Sequence, residues 1–476
     1  MSIDFRIRDF FHPHTIWQIH RSLERTQWLP PDELEEYQES RLARVLDQAF
    51  RQVPYYRDLL GSLGLQRSDF RSAGDLRHLP VLTKDTVQNR SEALVAANAP
   101  RYSPTTYNTS GTSGKPLHFY LDRGANALEF AYYWRHWSWG GFKLGNRFAE
   151  LNSHYFLKRP ALADAPFRYQ PHLRRLLMNS GQISRGRTRI LADAIRRYRP
   201  RFLKGLASAL YFLALTLQEA HISDIRFECV FSTGELVTKM HRGLIESVFG
   251  CRLLDSYGHM ERTVAISECP QGGYHINSDY GLMQFEDLRP SEDGTGTLAR
   301  VIGTSLYNFA MPLIRYDVGD EVELLPDERR CPCGRSLPLV AAIRGRCQDI
   351  ILTPEGNYVT ALFIVPELVR GVRFIQFVQD REDQLEVRLV PSPMFSDETS
   401  RHLLVHTRRL VGERMHVRVR IVEDAELIRD RSGKVRSVIG YDWTGSVADG
   451  GTAVEERRKD PGPSARIDKP SDQPQE

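Results

Sequence analysis

The sequence predicts an α/β protein, in which a large N-terminal domain built on parallel sheet and helices is followed by a small α+β domain. Two observations carry that reading. Between residues 200 and 260 strand, helix and strand alternate, with loops at the strand ends. A parallel sheet is wound in this way, and it presents a ligand site at those loops. After about residue 345 the rhythm changes to ββαβ. Size agrees: 476 residues, 41% apolar and 10% aromatic, exceed one small core and call for two or more domains.

Each element has a local reason. Leu42, Val45, Leu46, Ala49 and Phe50 recur at helical spacing and make one apolar face. Val53-Pro54 stops that helix, because the residue before a proline leaves the α region. Leu79-Pro80 and Thr83-Lys84-Asp85 punctuate the entry to the next unit. Leu206, Leu210, Leu213 and Leu217 form a second helical stripe. Phe227 to Phe231 reads as a short strand, ended by Ser232-Thr233-Gly234-Glu235; a helix follows through Phe249. The next strand, Leu253 to Ser256, ends at Tyr257-Gly258.

In the small domain, Phe374–Val378 and Leu385–Leu389 are strands around an acidic turn from Asp380 to Asp383. A helix lies near 396–411, and Val417, Val419 and Ile421 alternate on a third strand. From Thr444 on, Gly, Pro, Ser, Asp and Arg dominate, and the apolar surface is too small to offset ordering entropy. The expected layout is a large domain at 1–344, a small one at 345–443 and a disordered tail at 444–476.

Composition narrows the function. Lys and Arg total 64 against 60 Asp and Glu, a formal +4, so no basic stripe for nucleic acid is implied. No window offers the ~20 uninterrupted apolar residues of a membrane helix. The N-terminus lacks an apolar signal core. Six cysteines are too few for a disulfide scaffold in a chain this long. A cytoplasmic protein is expected. The sequence sets no oligomeric state, a homodimer being one option.

Two local patterns carry chemistry. Cys269, His275, Cys331 and Cys333 would supply three thiolates and one imidazole, a complete tetrahedral shell for a structural zinc ion. The alternative is buried free cysteines beside a surface histidine. Cys229, Cys251 and Cys347 read as packing residues. The second pattern is Ser110-Gly111-Thr112-Ser113-Gly114-Lys115. Gly111 and Gly114 allow backbone N–H groups to converge on an anion, the hydroxyls add donors and Lys115 adds charge. The spacing is not that of the nucleoside triphosphatase P-loop.

This loop resembles the phosphate loop of the adenylate-forming (acyl-CoA synthetase) superfamily, and further matches follow in that family's order. Ser232-Thr233-Gly234-Glu235 is similar to the segment that lines the adenine. Asp255-Ser256-Tyr257-Gly258-His259-Met260-Glu261 resembles the Y-G-x-T-E segment, and Arg315-Tyr316-Asp317-Val318-Gly319-Asp320 the ribose-binding one. Gly345-Arg346-Cys347-Gln348-Asp349 resembles the hinge, and Ser432-Gly433-Lys434 the catalytic lysine motif. Leu79-Pro80-Val81-Leu82-Thr83-Lys84 and Cys331-Pro332-Cys333-Gly334-Arg335 are similar to the branch of phenylacetate–CoA ligases and capsule-biosynthesis proteins.

The resemblance implies ATP-dependent adenylation of an organic acid with pyrophosphate release, then transfer to CoA or another thiol. It implies that Ser110 to Lys115 hold the β- and γ-phosphates, and that Glu261 and Thr112 hold Mg²⁺. Gly234, Glu235, Asp255, Ser256, Tyr257 and Gly258 would frame the adenine. Asp320 would accept the ribose hydroxyls, and Arg346 would contact ribose or phosphate. Lys434, delivered by a mobile small domain, would stabilise the transition state. The aromatic cluster Tyr132, Tyr133, Trp134, Trp137 and Trp139 sits where the family places one wall of its acyl pocket, with His154 and Tyr155 as further candidates. His172-Leu173-Arg174-Arg175 reads as a solvated basic face.

Two departures matter. Gln348 replaces an acidic residue of the hinge, and Thr353-Pro354-Glu355-Gly356-Asn357 replaces a run that borders the thioesterification conformation. Adenylation is therefore better supported than CoA transfer. The alternatives are adenylylation of a metabolite, or acid activation for cell-surface polysaccharide without CoA. A third is a non-catalytic nucleotide-binding scaffold.

Overall fold

The computed structural model describes residues 13–109, 117–290, 296–326, 329–344, 351–354, 358–359, 362, 369, 371–392, 394–428 and 436–440. One compact unit spans Met1–Tyr441; the remainder, Asp442–Glu476, holds the expected tail and lies outside the described residues.

Four helices open the chain. α1 (Pro13–Thr26) buries Ile16, Ile19 and Leu23, three and four residues apart. α2 (Pro31–Gln52) begins on a proline, whose missing N–H is one that the first turn leaves unpaired anyway. It buries the expected face from Leu42 to Phe50 and ends before Val53. Pro54 then opens α3 (Pro54–Leu63), which Gly64 closes at a φ of 67°. α4 (Lys84–Asn89) is capped by the Thr83 hydroxyl, which accepts from the Thr86 backbone N–H.

β1 (Thr105–Thr109) and β2 (Leu117–Leu121) pair antiparallel. α5 (Arg123–Trp139) follows, capped by Asp122, whose carboxylate accepts from the Ala125 N–H at 2.8 Å. It is buried nearly all round, so it is a central helix rather than a surface one.

The main sheet is laid down next. Its elements are β3 (Phe148–Leu151), α6 (Ser153–Leu157), β4 (Phe167–Gln170), β5 (Arg175–Met178), α7 (Thr188–Tyr198), β6 (Phe202–Gly205), α8 (Ala207–Glu219), β7 (Cys229–Thr233), α9 (Lys239–Phe249), β8 (Leu253–Gly258), β9 (Ala265–Glu268) and β10 (Tyr274–Ile276). β7 starts two residues later than the sequence suggests, because pairing with β6 begins at Cys229 opposite Phe202. β8 runs two residues longer, because β9 returns along its end and pairs with Tyr257 and Gly258.

A second sheet is antiparallel, and nothing in the strand–helix alternation announces it. β11 (Gly281–Pro290), β12 (Thr297–Ser305) and β13 (Tyr316–Leu324) form its first three strands. β14 (Leu339–Val340) goes back to β10, and β15 (Ala342–Arg344) completes the second sheet beside β13. The main sheet thus reads β14-β10-β9-β8-β7-β6-β3-β5-β4. The run β8-β7-β6-β3-β5 is parallel, as expected. α7, α8 and α9 cover one face of it and α5 lies on the other.

Among the remaining described residues, β16 (Ile351–Leu352) pairs with β17 (Tyr358–Val359). β18 (Val372–Arg381) and β19 (Gln384–Pro391) form the expected hairpin. α10 (Asp397–Val411) then crosses to β20 (His416–Ile421), which lies parallel to β19. A fourth strand, β21 (Val438–Ile439), adds to the predicted ββαβ unit by pairing with β18. Ile375, Phe377, Leu385, Val387, Leu389, Leu403 and Val411 form its core.

Candidate active site at the carboxyl ends of the parallel strands

β7 and β8 run side by side, with Thr233 opposite Ser256, and β8 continues two residues further to Gly258. Gly234 follows β7 at a φ of 81°, which only glycine adopts at little cost. Tyr257, at the end of β8, donates its hydroxyl to Asp320 Oδ2 of β13 at 3.0 Å. Asp320 is presented by a local turn: Gly319 has a φ of 76°, and its N–H donates to Asp317 Oδ1 at 2.8 Å. The start of β13 is pinned by the Leu79–Lys84 segment. There Leu82 N–H donates to Arg315 O at 2.8 Å, and Asp317 N–H donates to Leu82 O at 3.0 Å.

Past β8 the chain turns at His259–Arg262 and buries Glu261. The Tyr316 hydroxyl donates to Glu261 Oε1 at 3.0 Å, and His259 Nδ1 meets Oε2 at 2.9 Å. His259 Nε2 lies 2.9 Å from Thr263 Oγ1. Burial alone would raise the Glu261 pKa. The hydrogen bond and charge of His259, with the Tyr316 hydroxyl, outweigh it and hold the carboxyl at about 2. Glu261 is therefore a buried carboxylate that stays ionised. Tyr316 moves upward, through burial and the neighbouring Glu261, so it stays a donor.

Arg262 adopts a left-handed backbone, φ 55°, uncommon away from glycine. Its guanidinium donates to Ala125 O at 3.0 Å and Asn126 Oδ1 at 2.6 Å, and lies 3.7 Å from Glu129. Tyr107 of β1 donates to the same Asn126 oxygen at 2.7 Å. The strand entering the glycine-rich loop is thereby tied to α5 and to the Glu261 turn. The sequence motifs contain His259 and Tyr316 without marking them. Their signal was a histidine two residues before an acid and a tyrosine preceding the ribose-type turn.

Other predicted residues take specific places. Asp255 is buried beside Glu268, with Arg242 donating to Glu268 at 2.8 Å. Burial first, then the Glu268 charge, pushes the Asp255 pKa up to about 7. Ser256 Oγ donates to Ser232 O at 2.8 Å. Glu235 accepts the Ser208 N–H at the start of α8 at 2.9 Å, so its carboxylate caps that helix. Ser110, Gly111, Thr112, Ser113, Gly114, Lys115, Arg346, Cys347, Gln348 and Lys434 lie outside the described residues.

The aromatic cluster divides. Tyr133 meets Thr233 Oγ1 at 3.0 Å and Tyr132 donates to Ile266 O at 3.0 Å, so both face the strand ends. Trp134 packs edge-on against His20 of α1. Trp139 donates to Gln27 Oε1 at 2.8 Å and packs with Cys269 and Cys331 instead. The Tyr155 hydroxyl accepts from Arg168 at 3.2 Å, toward the sheet edge. The solvated reading of Arg175 is overturned: it opens β5 almost fully buried and donates to Glu150 Oε2 at 2.7 Å. That carboxylate faces it across the parallel pair, and a lone charge could not remain there.

A second constellation lies at β9, β10 and the Cys331–Cys333 turn. The ligand atoms of Cys269, His275, Cys331 and Cys333 lie within 4.8 Å of one another. Cys269 Sγ and Cys331 Sγ are 3.5 Å apart, too far for a disulfide. His275 Nε2 is 3.3 Å from Cys333 Sγ. His275 Nδ1 lies 3.0 Å from Leu337 O, and a carbonyl only accepts. Nδ1 therefore carries the proton and Nε2 turns its lone pair to the sulfurs. Burial lowers the His275 pKa to about 4, which keeps the ring neutral. A Cβ at Gly273 would stand 2.9 Å from Cys331 Sγ, so the glycine leaves room for the cluster. Three thiols and a neutral imidazole fit a structural zinc ion.

Comparison with known proteins agrees with this architecture. The CapK C-terminal domain family matches residues 351–440. Protein CapK of Staphylococcus aureus is 22% identical over 372 residues, 76% of this chain and 79% of that protein. Phenylacetate-coenzyme A ligase of Thermus thermophilus is 26% identical over 427 residues, covering 85% and 92%. A 2-hydroxyisobutyryl-CoA ligase, solved with 2-HIB-AMP and CoA in the thioesterification state, superposes with a TM-score of 0.55 at 23% identity, covering 88% and 92%. At that identity the superposition gives the fold. With the ordered motifs, these likenesses support kinship with the phenylacetate–CoA ligase and CapK branch of the adenylate-forming superfamily.

Proposed function

We propose that this chain is an AMP-forming ligase. An organic acid's carboxylate oxygen attacks the α-phosphorus of ATP, pyrophosphate leaves, and the acyl group remains on AMP. A thiol, CoA being the leading choice, then displaces AMP. The observation that carries this reading is convergence. Tyr257 reaches Asp320, 63 residues on, and Glu261 reaches Tyr316, 55 residues on, at the ends of the parallel strands. Relatives that are CoA ligases support it.

Both reactants are anions, so the site must screen charge and align the attack. In this reading the Tyr257 ring lies along the adenine while its hydroxyl orients Asp320 toward the ribose. Glu261, held ionised by His259 and Tyr316, is a hard oxygen ligand suited to Mg²⁺. That ion would supply charge screening on the phosphates. Thr112 and the 110–115 loop would hold the phosphates, Arg346 would close on the nucleotide, and Lys434 would meet the charge developing at the α-phosphate. The small domain would swing to deliver it. ATP and CoA as reactants favour a cytoplasmic setting.

The test is carboxylate-dependent ATP–pyrophosphate exchange with aryl, fatty and hydroxy acids. Exchange with one acid class, lost by at least about 100-fold in Lys434→Ala, is expected for a group acting in the transition state. ATP binding without exchange on any acid would sink the reading. A second reading keeps the adenylation but hands the acyl group to a cell-surface polysaccharide acceptor. The resemblance of Cys331-Pro332-Cys333-Gly334-Arg335 to capsule-biosynthesis proteins favours it; product release that ignores CoA would select it.

The Cys269–His275–Cys331–Cys333 cluster is proposed as a structural zinc centre. Roughly one zinc ion per chain is expected in protein purified without chelator, with loss of that zinc and a lower Tm in Cys331→Ser. Protein that is folded and zinc-free as purified would rule it out.

A further inference from the structure

The α5 face of the main sheet holds a charged cluster among aromatic rings. Glu150 of β3 and Lys204 of β6 are register partners, each one residue before its strand's end. Lys204 Nζ lies 3.2 Å from Glu150 Oε2, and Arg175 donates to the same oxygen at 2.7 Å. Asn152 donates to Glu150 Oε1 at 3.1 Å, and Arg175 Nε donates to Gln170 Oε1 at 2.7 Å. The Lys204 ammonium stands 4.7 Å from the centroid of the Trp137 ring. The Glu150 and Arg175 side chains are 3% and 4% exposed, but Lys204 keeps 13%. It is the member of this ion network that solvent reaches.

A buried ion network adds little net stability, because desolvation offsets the Coulomb gain. Apolar side chains would pack this face as well. The network instead sits level with Phe231 of β7, one strand from Thr233, which Tyr133 of α5 meets on this face. A parallel sheet binds its ligand just outside the carboxyl ends of such strands.

We propose that Lys204, held in place by Glu150 and Arg175, is a specificity residue of the acid site, and that the acid carries a hydroxyl group distal to its carboxylate. This rests on the adenylation reading above. A hydroxyl both accepts and donates, so it can take a hydrogen bond from the Lys204 ammonium and give its own to the Glu150 carboxylate. An apolar acid would desolvate Lys204 and return nothing, and a site built to bond a hydroxyl discriminates strongly against the analogue lacking it.

The test is calorimetric binding of matched pairs, 6-hydroxyhexanoate against hexanoate and 4-hydroxyphenylacetate against phenylacetate. In the native protein at least one hydroxy acid is expected to bind about 10-fold or more tighter than its partner. Lys204→Met should reduce that ratio to less than about 3-fold while ATP affinity stays unchanged. Glu150→Gln, which keeps the shape, should narrow it too and serves if Lys204→Met does not fold. Equal affinities within both pairs, binding by none of the four acids, or a preference that survives both substitutions overturns the proposal. Failure of the adenylation reading is seen separately, as acid binding without pyrophosphate exchange.

Discussion

The two faces of the main sheet are made from the same short strands, yet they differ in kind. Toward α7, α8 and α9 the strands present Ala149, Leu151, Leu176, Met178, Leu203, Val230 and Leu253. Toward α5 they present Phe148, Phe202, Phe231 and Leu254, together with Glu150, Arg175 and Lys204. Along these residues the first face is apolar packing. The second holds charges that are costly to bury, with Glu150 and Lys204 one residue before the ends of their strands and Arg175 at the start of β5. Burial pushes the Glu150 carboxyl up, but Lys204 and Arg175 outweigh it and bring its pKa to about 2. The contrast teaches that alternation along a strand lets one sheet carry an apolar core and a charged face at once.

The comparison breaks most sharply at Leu203 and Lys204, adjacent residues on opposite faces. Leu203→Ala should cost about 2–5 kcal/mol of stability, since a fully buried leucine leaves a cavity. Denaturant unfolding would measure it. The matched-acid affinity ratios of the folded fraction should not move. A Leu203→Ala protein of native stability, or one with altered acid preference, would erase the distinction between the faces.

A smaller effect sharpens it at the rim. Asp255 is the acid on the helix-covered face, two residues beyond Leu253, and its folded pKa is raised to about 7. A raised acid binds its proton more tightly folded than unfolded. Its contribution is therefore fully present below the ordinary carboxylate range and is lost as pH rises to about 7. Asp255→Asn removes this dependence while keeping an oxygen for the Ser256 N–H. Relative to native protein it should gain about 1–3 kcal/mol between pH 4 and pH 8. Equal Tm shifts at both pH values would show that Asp255 titrates normally.

Local chemistry was legible in advance. Helices with a clear stripe, such as α2, and the β18–β19 hairpin fell where periodicity and turn residues put them. The Cys/His cluster was legible because few residue types bind zinc and all four stand in this short list. Ser110 to Lys115 and Lys434 lie outside the described residues, and their proposed roles rest on the motifs. Less legible were contacts whose partners are far apart in the chain. Arg175 sits in a basic run that reads as solvated, and only the parallel pairing of β3 with β5 brings Glu150 to it.

By itself, then, the sequence determined the repeating α/β order, the motif chemistry and the residue types of both candidate centres. Those depend on neighbours along the chain, on helical and strand periods, and on what each side chain can ligate. The tertiary structure alone decided that Tyr316 and His259 hold Glu261 ionised, that Tyr257 orients Asp320, and that Trp139 serves the cysteine cluster. It also decided that Lys204 meets Glu150 across β3 and β6. These depend on register and strand order, which set which residues meet across the fold and leave no mark on the local pattern.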